Sequence, residues 1–276
     1  MKQSVLSIQD VLAGYDAVSP LYPHLAPLCA WRAWEYAAYQ RFALPEPVLD
    51  IGCGDGRFFR LVWPHVREAV GVEIDPSVAE QARGSGVYRA VHVAAAHRLP
   101  MPAAEFAAAF ANCSLEHMDE LSAVLRSVCR ALRPGGMFLC SVVTDRFPAW
   151  ITLPLLVEKL GQRADAERLQ AGYLGYHHLV NALSPPQWTA RLEEAGFEVL
   201  EHVSIAPEMF SRFFLLLDHL WHVPQPQGEL GDQLHRHIMS LPNFPTAFRQ
   251  ILAAVLQLEQ DWPTGSGAVF WARRRI

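Results

Sequence analysis

The sequence has no C-x-x-C pair, no basic run beyond Arg273-Arg274-Arg275, and no long apolar tract; the longest, around Phe213 to Leu217, is far too short to span a bilayer. Each absence excludes something. The five cysteines, Cys29, Cys53, Cys113, Cys129 and Cys140, are isolated and odd in number. They suggest neither a zinc knuckle nor a redox dithiol, and read as small core residues of a protein in a reducing cytoplasm. The first residues show no basic segment followed by an apolar run, so no signal peptide and no stable membrane insertion are expected. Charged residues are scarce at 18%, and 23 Lys plus Arg stand against 28 Asp plus Glu, a formal charge of -5. A phosphate-backbone binder needs a clearer positive patch, so nucleic acid is not an expected partner.

What is abundant is apolar side chain, 51% of 276 residues. That suffices for one large α/β domain, or for a core of ordinary size with a small cap. The organising stretch is Val48-Leu49-Asp50-Ile51-Gly52-Cys53-Gly54-Asp55-Gly56. It reads as a short buried strand, a turn with glycine at alternate positions, and a helix that starts near Arg57. Such a turn lets backbone approach a ligand closely, with a helix N-terminus at hand for a carboxylate. Asp50 inside the strand costs desolvation unless it meets the ligand or the turn. The nicotinamide fingerprint G-x-G-x-x-G is not met, because Arg57 stands where its third glycine belongs.

The acid-led G-x-G-x-G pattern resembles the first motif of class I S-adenosylmethionine-dependent methyltransferases. The resemblance continues. Ala69 to Ile74 reads as the next strand, and Glu73-Ile74-Asp75-Pro76-Ser77 resembles the family's second motif. It implies that Glu73 accepts the ribose hydroxyls and that Ile74 packs on adenine. Ala95-Ala96-His97-Arg98-Leu99-Pro100-Met101-Pro102 resembles the loop before the fourth strand. The sequence departs from the family here, with Ala95 in place of the acid that meets the adenine amino group and Ala107 in place of a second acid. Adenine is then left to backbone near Ala96 and to His97. The fourth strand, Ala108 to Asn112, ends in Cys113-Ser114-Leu115-Glu116-His117-Met118, which resembles the loop beneath the sulfonium. Asn112 and Ser114 are expected to line the cofactor. Leu-Arg-Pro-Gly-Gly at 132–136 resembles the family's turn into the fifth strand, Met137 to Val143. By the same resemblance Tyr15, in a Tyr-Asp segment ahead of the core, would cover the methionine end of the cofactor.

The expected fold is α/β: a seven-stranded, mostly parallel, Rossmann-like methyltransferase sheet with helical insertions. Residues 1–47 form an N-terminal helical lead. Residues 48–206 form the S-adenosylmethionine-binding core with a lid insertion at 145–183, residues 207–266 a helical cap insertion, and residues 267–276 the final core strand. The aromatic helix Trp31 to Phe42 either floors an acceptor pocket or joins copies of the chain as a homo-oligomer. The segment Met209 to Trp221 roofs an apolar pocket or is a buried helix.

The expected reaction is methyl transfer from S-adenosyl-L-methionine to an apolar small molecule, a specialised metabolite, by in-line displacement with positioning as the main source of rate. The alternative is a non-catalytic S-adenosylmethionine-binding protein, or an enzyme that uses the sulfonium for other chemistry. Histidine titrates near neutrality, so His117, His177 and His178 are the candidate catalytic residues. No metal is expected, since the adjacent His177 and His178 have no acid near them in sequence.

Overall fold

The computed structural model describes residues 1–276. The chain opens with β1 (Lys2–Ser4), α1 (Ile8–Val18) and α2 (Ala26–Tyr39). Ser7 and Asp10 form a reciprocal capping box at the start of α1. The alternation then follows as β2 (Val48–Ile51), α3 (Arg57–Val62), β3 (Ala69–Glu73), α4 (Pro76–Gly84), β4 (Ala90–Val93), β5 (Phe106–Asn112), α5 (Leu121–Ala131) and β6 (Leu132–Val143). Asp75 caps α4 by accepting from the amides of Ser77 and Val78. Leu121, Val124, Leu125 and Val128 recur at helical spacing and are the buried stripe of α5.

The stretch 145–183, expected as a lid, holds α6 (Arg146–Ala149), α7 (Thr152–Lys159) and α8 (Arg163–Tyr176), and is followed by α9 (Pro185–Glu194) and β7 (Phe197–Ile205). The stretch 207–266, expected as a cap, holds α10 (Glu208–Trp221), a short hairpin β8 (Pro224–Gln225) and β9 (Gly228–Glu229), α11 (Leu230–Leu234) and α12 (Phe244–Gln257). β10 (Gly267–Arg274) returns to the sheet.

The main sheet has eight strands in the order β1-β7-β10-β6-β5-β2-β3-β4. Only β10 runs antiparallel to its neighbours, β6 and β7. Seven of these strands are the ones expected. The eighth is β1, which pairs parallel to β7 at the sheet edge, so the lead is not purely helical. Successive strand residues feed opposite faces, as a pleated strand requires. Val48, Phe110 and Val269 belong to a core shared with α1, α2, α10 and α12. Leu49, Ala109 and Phe270 belong to a second core packed by α5 and α9. With both faces covered, β2 is buried at all four positions, which is why it is apolar at every position but Asp50.

From β2 the chain proceeds outward to β3 and β4, and from β5 it proceeds the other way to β6. The order reverses between β2 and β5. The crevice beyond the carboxyl ends of strands at such a reversal is where open α/β sheets bind ligands.

Candidate functional site

The glycine turn after β2 opens this crevice. Gly52, Gly54 and Gly56 all have positive φ, at 67°, 54° and 79°. A Cβ on Gly52 would lie 2.8 Å from Ser114 Cβ, whereas a Cβ on Gly54 would meet nothing within 4 Å. Gly52 thus packs against the loop after β5, and Gly54 faces open space. Glu73, at the end of β3, holds the turn. Its Oε2 accepts from the Gly54 amide at 3.1 Å, and its Oε1 accepts from the amides of Ile74 and Asp75 at 2.8 and 3.1 Å. Each carboxylate oxygen offers about two lone-pair directions, so Oε2 retains capacity for a hydroxyl.

A cavity of about 500 Å³ starts here. Its lining includes Gly52, Glu73, Ile74, Ala95, Ala96, His97, Ser114, His117, Asp119, Glu120 and His178. Ile74 is 71% exposed, a large apolar side chain with no packing role of its own beside an open cavity. A smaller cavity of about 100 Å³ continues along the turn, lined by Asp50, Gly52, Gly54, Gly56, Asn112, Tyr22 and Arg32 among others. Asp50 meets the turn's surroundings through Tyr88, whose hydroxyl donates to Asp50 Oδ2 at 2.5 Å. Burial pushes the Asp50 carboxyl up to about 7; the Tyr88 bond opposes that rise and the nearby Glu73 adds to it.

A third cavity, about 310 Å³, lies on the other side of His117. Its walls come from α2 with its approach (Leu25, Leu28, Trp31, Arg32), the loop after β5 (Cys113, Glu116, His117), the stretch 145–183 (Phe147, His177, Leu179) and α10 with its C-terminal cap (Phe214, Asp218, Trp221, His222). Cys113 and His117 belong to both this cavity and the 500 Å³ one. Two spaces of ligand size therefore meet at one seam.

The seam is held by a buried polar network. Glu35 Oε1 accepts from Ser141 Oγ at 2.7 Å and from Cys113 Sγ at 2.8 Å, and Glu35 Oε2 pairs with Arg32 Nη1 at 2.6 Å. Cys113 takes a positive φ of 43°, and Trp31 Nε1 donates to its Sγ at 3.2 Å. Glu116 is buried with Oε2 unpartnered, and burial raises its carboxyl to about 7. His117 Nδ1 lies 3.3 Å from the His178 carbonyl oxygen, and burial lowers the pKa of its ring.

A family model described as a methyltransferase domain matches residues 28–202, more than half of the chain. The chain belongs to the class I S-adenosylmethionine-dependent methyltransferases. The 27-O-demethylrifamycin SV methyltransferase of Amycolatopsis mediterranei (strain S699) is 31% identical over 161 residues, 55% of this chain and 54% of that relative. The match thus spans about half of that relative's length. The ubiquinone biosynthesis O-methyltransferase of Xanthomonas axonopodis pv. citri (strain 306) is 30% identical over 178 residues, 62% of this chain and 70% of the relative. Among solved structures, the [4+2]-cyclase SpnF shares the fold with a TM-score of 0.56 at 20% identity, each chain covered in full.

The crevice of this methyltransferase fits the family's cofactor. The open face of Gly54, the spare capacity of Glu73 Oε2 and the exposed Ile74 suit backbone, ribose and adenine contacts in turn. Ala96, His97 and Ser114 line the same cavity; Asn112 lines the smaller one, with its Oδ1 accepting from Tyr39 at 2.8 Å. Position 95 brings no acid, and Glu105 pairs with Arg89 away from the cavity, but Asp119 and Glu120 are on its wall.

Tyr15 departs from its expected place. Its hydroxyl donates to the Pro245 carbonyl at 3.2 Å and its ring packs on Phe248, because α12 covers that face of α1. Tyr22 and Arg32 line the glycine-turn cavity instead. Arg32 Nε is buried without a partner, which suits a carboxylate. In sequence Arg32 is hidden among the aromatics of α2, and no local pattern marks it.

The adjacent histidines part company. His178, at φ 45°, turns to the cofactor cavity, 3.8 Å from Asp119. His177 turns to the third cavity, where its Nε2 lies 3.1 Å from Asp218 Oδ2. Asp218 in α10 and His222 at its C-terminal cap are the polar residues missed. Their i, i+4 spacing places both on one helix face, the one usable signal in a segment that otherwise reads as apolar roof.

Proposed function

We propose that this methyltransferase transfers the methyl group to an oxygen of an apolar small molecule, a specialised metabolite, seated in the 310 Å³ cavity. The observation that carries the reading is the seam at Cys113 and His117, which joins the cavity fitted to the cofactor with a second, mostly apolar one. Bound S-adenosylmethionine supplies an activated methyl, and its transfer leaves S-adenosylhomocysteine. The chain's own residues bind and orient. Glu73, Ile74 and the glycine turn hold the donor, and Arg32 and Tyr22 close its carboxylate end. Trp31, Phe147, Phe214 and Trp221 exclude water and fix the acceptor's plane. His117 stands at the seam and receives the acceptor's proton. The O-methyltransferase named among the relatives supports oxygen as the atom modified. The cavity's size and the scarcity of basic surface support a small molecule over a polymer.

The test is a screen of apolar hydroxylated compounds with isotopically labelled methyl donor, read by mass spectrometry. A labelled methyl ether is expected. Consumption of an acceptor without label in the product, while the donor binds, would replace methyl transfer by other chemistry on the same fold.

A further inference from the structure

We infer that His177, Asp218 and His222 form a binding site for a divalent transition-metal ion of the zinc or cobalt kind, opening into the acceptor cavity. Their ligand atoms all lie within 4.8 Å of one another. His177 Nε2 is 3.1 Å from Asp218 Oδ2, and His222 Nε2 is 3.6 Å from Asp218 Oδ1. Around an ion with ligands at about 2.0–2.1 Å, tetrahedral donors sit roughly 3.3–3.5 Å apart; the two His–Asp separations bracket that spacing, and side-chain rotation brings in the wider pairs.

The surroundings are built as a metal site's surroundings are. His222 Nδ1 lies 2.9 Å from Glu229 Oε2. A carboxylate only accepts, so Nδ1 carries a proton, and Nε2, which faces Asp218, is the nitrogen available to a metal. A ligating imidazole held by a carboxylate on its other nitrogen is the usual support for a metal-bound histidine. Tyr176 donates to Glu229 Oε1 at 2.9 Å and fixes that carboxylate. Tyr173 donates to Asp218 Oδ2 at 2.6 Å and fixes the third ligand. His177 Nε2 is shut off from solvent, with Asp218 Oδ2 at 3.1 Å as its neighbour but no hydrogen bond of ordinary geometry. A buried ring nitrogen without a partner is costly, and a cation would satisfy it.

Two imidazoles and one carboxylate suit zinc or another first-row divalent ion, and three protein ligands leave a position free. All three residues line the acceptor cavity, so the free position faces the acceptor. This part rests on the proposed methyl transfer: an acceptor oxygen bound there loses its proton more readily and is held toward the seam.

The test begins with chelator-treated full-length protein, titrated with Co²⁺ by visible absorption and with Zn²⁺ by calorimetry. One ion per chain is expected. His222→Ala and Asp218→Asn should abolish that binding, and Glu229→Gln should weaken it by about 10–100-fold. Circular dichroism and unchanged S-adenosylmethionine affinity would show that the variants are folded; Glu229→Gln, which keeps every ligand, serves if the others are not. The absence of stoichiometric binding by wild type, or binding that survives His222→Ala and Glu229→Gln undiminished, overturns the site. Because metal binding is read without an acceptor, its failure is distinct from a failure to find methyl transfer.

Discussion

The Tyr88 hydroxyl donates to Asp50 Oδ2 at 2.5 Å, tying the segment ahead of β4 to the acid inside β2. Asp50 is 2% exposed, and burial lifts its carboxyl from 3.8 to about 7. A folded-state value above the unfolded one means that folding favours the protonated acid. Stability is fully present below about pH 4 and declines as pH rises toward 7. Asp50→Asn keeps an acceptor for Tyr88 and removes the charge. The variant should match wild type near pH 4 and exceed it at pH 8 by on the order of 1–3 kcal/mol in urea unfolding. A variant less stable than wild type at pH 8 would contradict this.

Glu73 and Ile74 separate binding from folding. Glu73 gathers the amides of Gly54, Ile74 and Asp75, so Glu73→Ala loosens the turn as well as losing a ribose acceptor. Calorimetry should show S-adenosylmethionine binding weakened by about tenfold or more, the loss of a charge-assisted hydrogen bond. Ile74 is largely exposed, so Ile74→Asp should weaken binding several-fold with no change in melting temperature. A lowered melting temperature with normal affinity would make Ile74 a packing residue.

The glycines differ in what they tolerate. Gly52→Ala meets both a positive φ and Ser114 at 2.8 Å, and should cost about 1–3 kcal/mol of stability, read by chemical denaturation. Gly54→Ala meets only the positive φ, in open space. Its effect should fall more on cofactor affinity than on packing.

His117 stands at the seam, and His178 lies on the cofactor side beside Asp119. His117→Ala should lower turnover by about 10²–10⁴-fold, the usual range for a general base, with little change in S-adenosylmethionine affinity. His178→Ala should alter cofactor affinity more than turnover. Near-normal turnover in His117→Ala would leave positioning alone as the source of rate.

The fold was legible where the signal is local. The glycine turn, Glu73 at a strand end and the stripe of α5 each lie within a few residues, whereas 132–136, expected as a turn, opens β6 with a register shift against β5. Residues from separate elements were not legible. Asp50 finds Tyr88 across the sheet, Arg32 reaches the glycine turn from α2, and Asp218 meets His177 from α10. No acid stands near the histidine pair in sequence; the carboxylate that meets His177 comes from α10. Nothing in the segment around Tyr15 tells that α12 packs on it. β1 was missed because three residues carry no periodicity.

The central claim is that the cofactor's sulfur sits at the Cys113 and His117 seam, facing the cavity walled by Trp31, Phe214 and Trp221. A crystal structure of the protein with S-adenosylhomocysteine tests it most directly. Adenosine should lie between Ile74 and His97 with its ribose on Glu73, and the sulfur should point past His117 into that cavity. A homocysteine arm directed away from the seam, or a nucleoside bound elsewhere, would contradict the account.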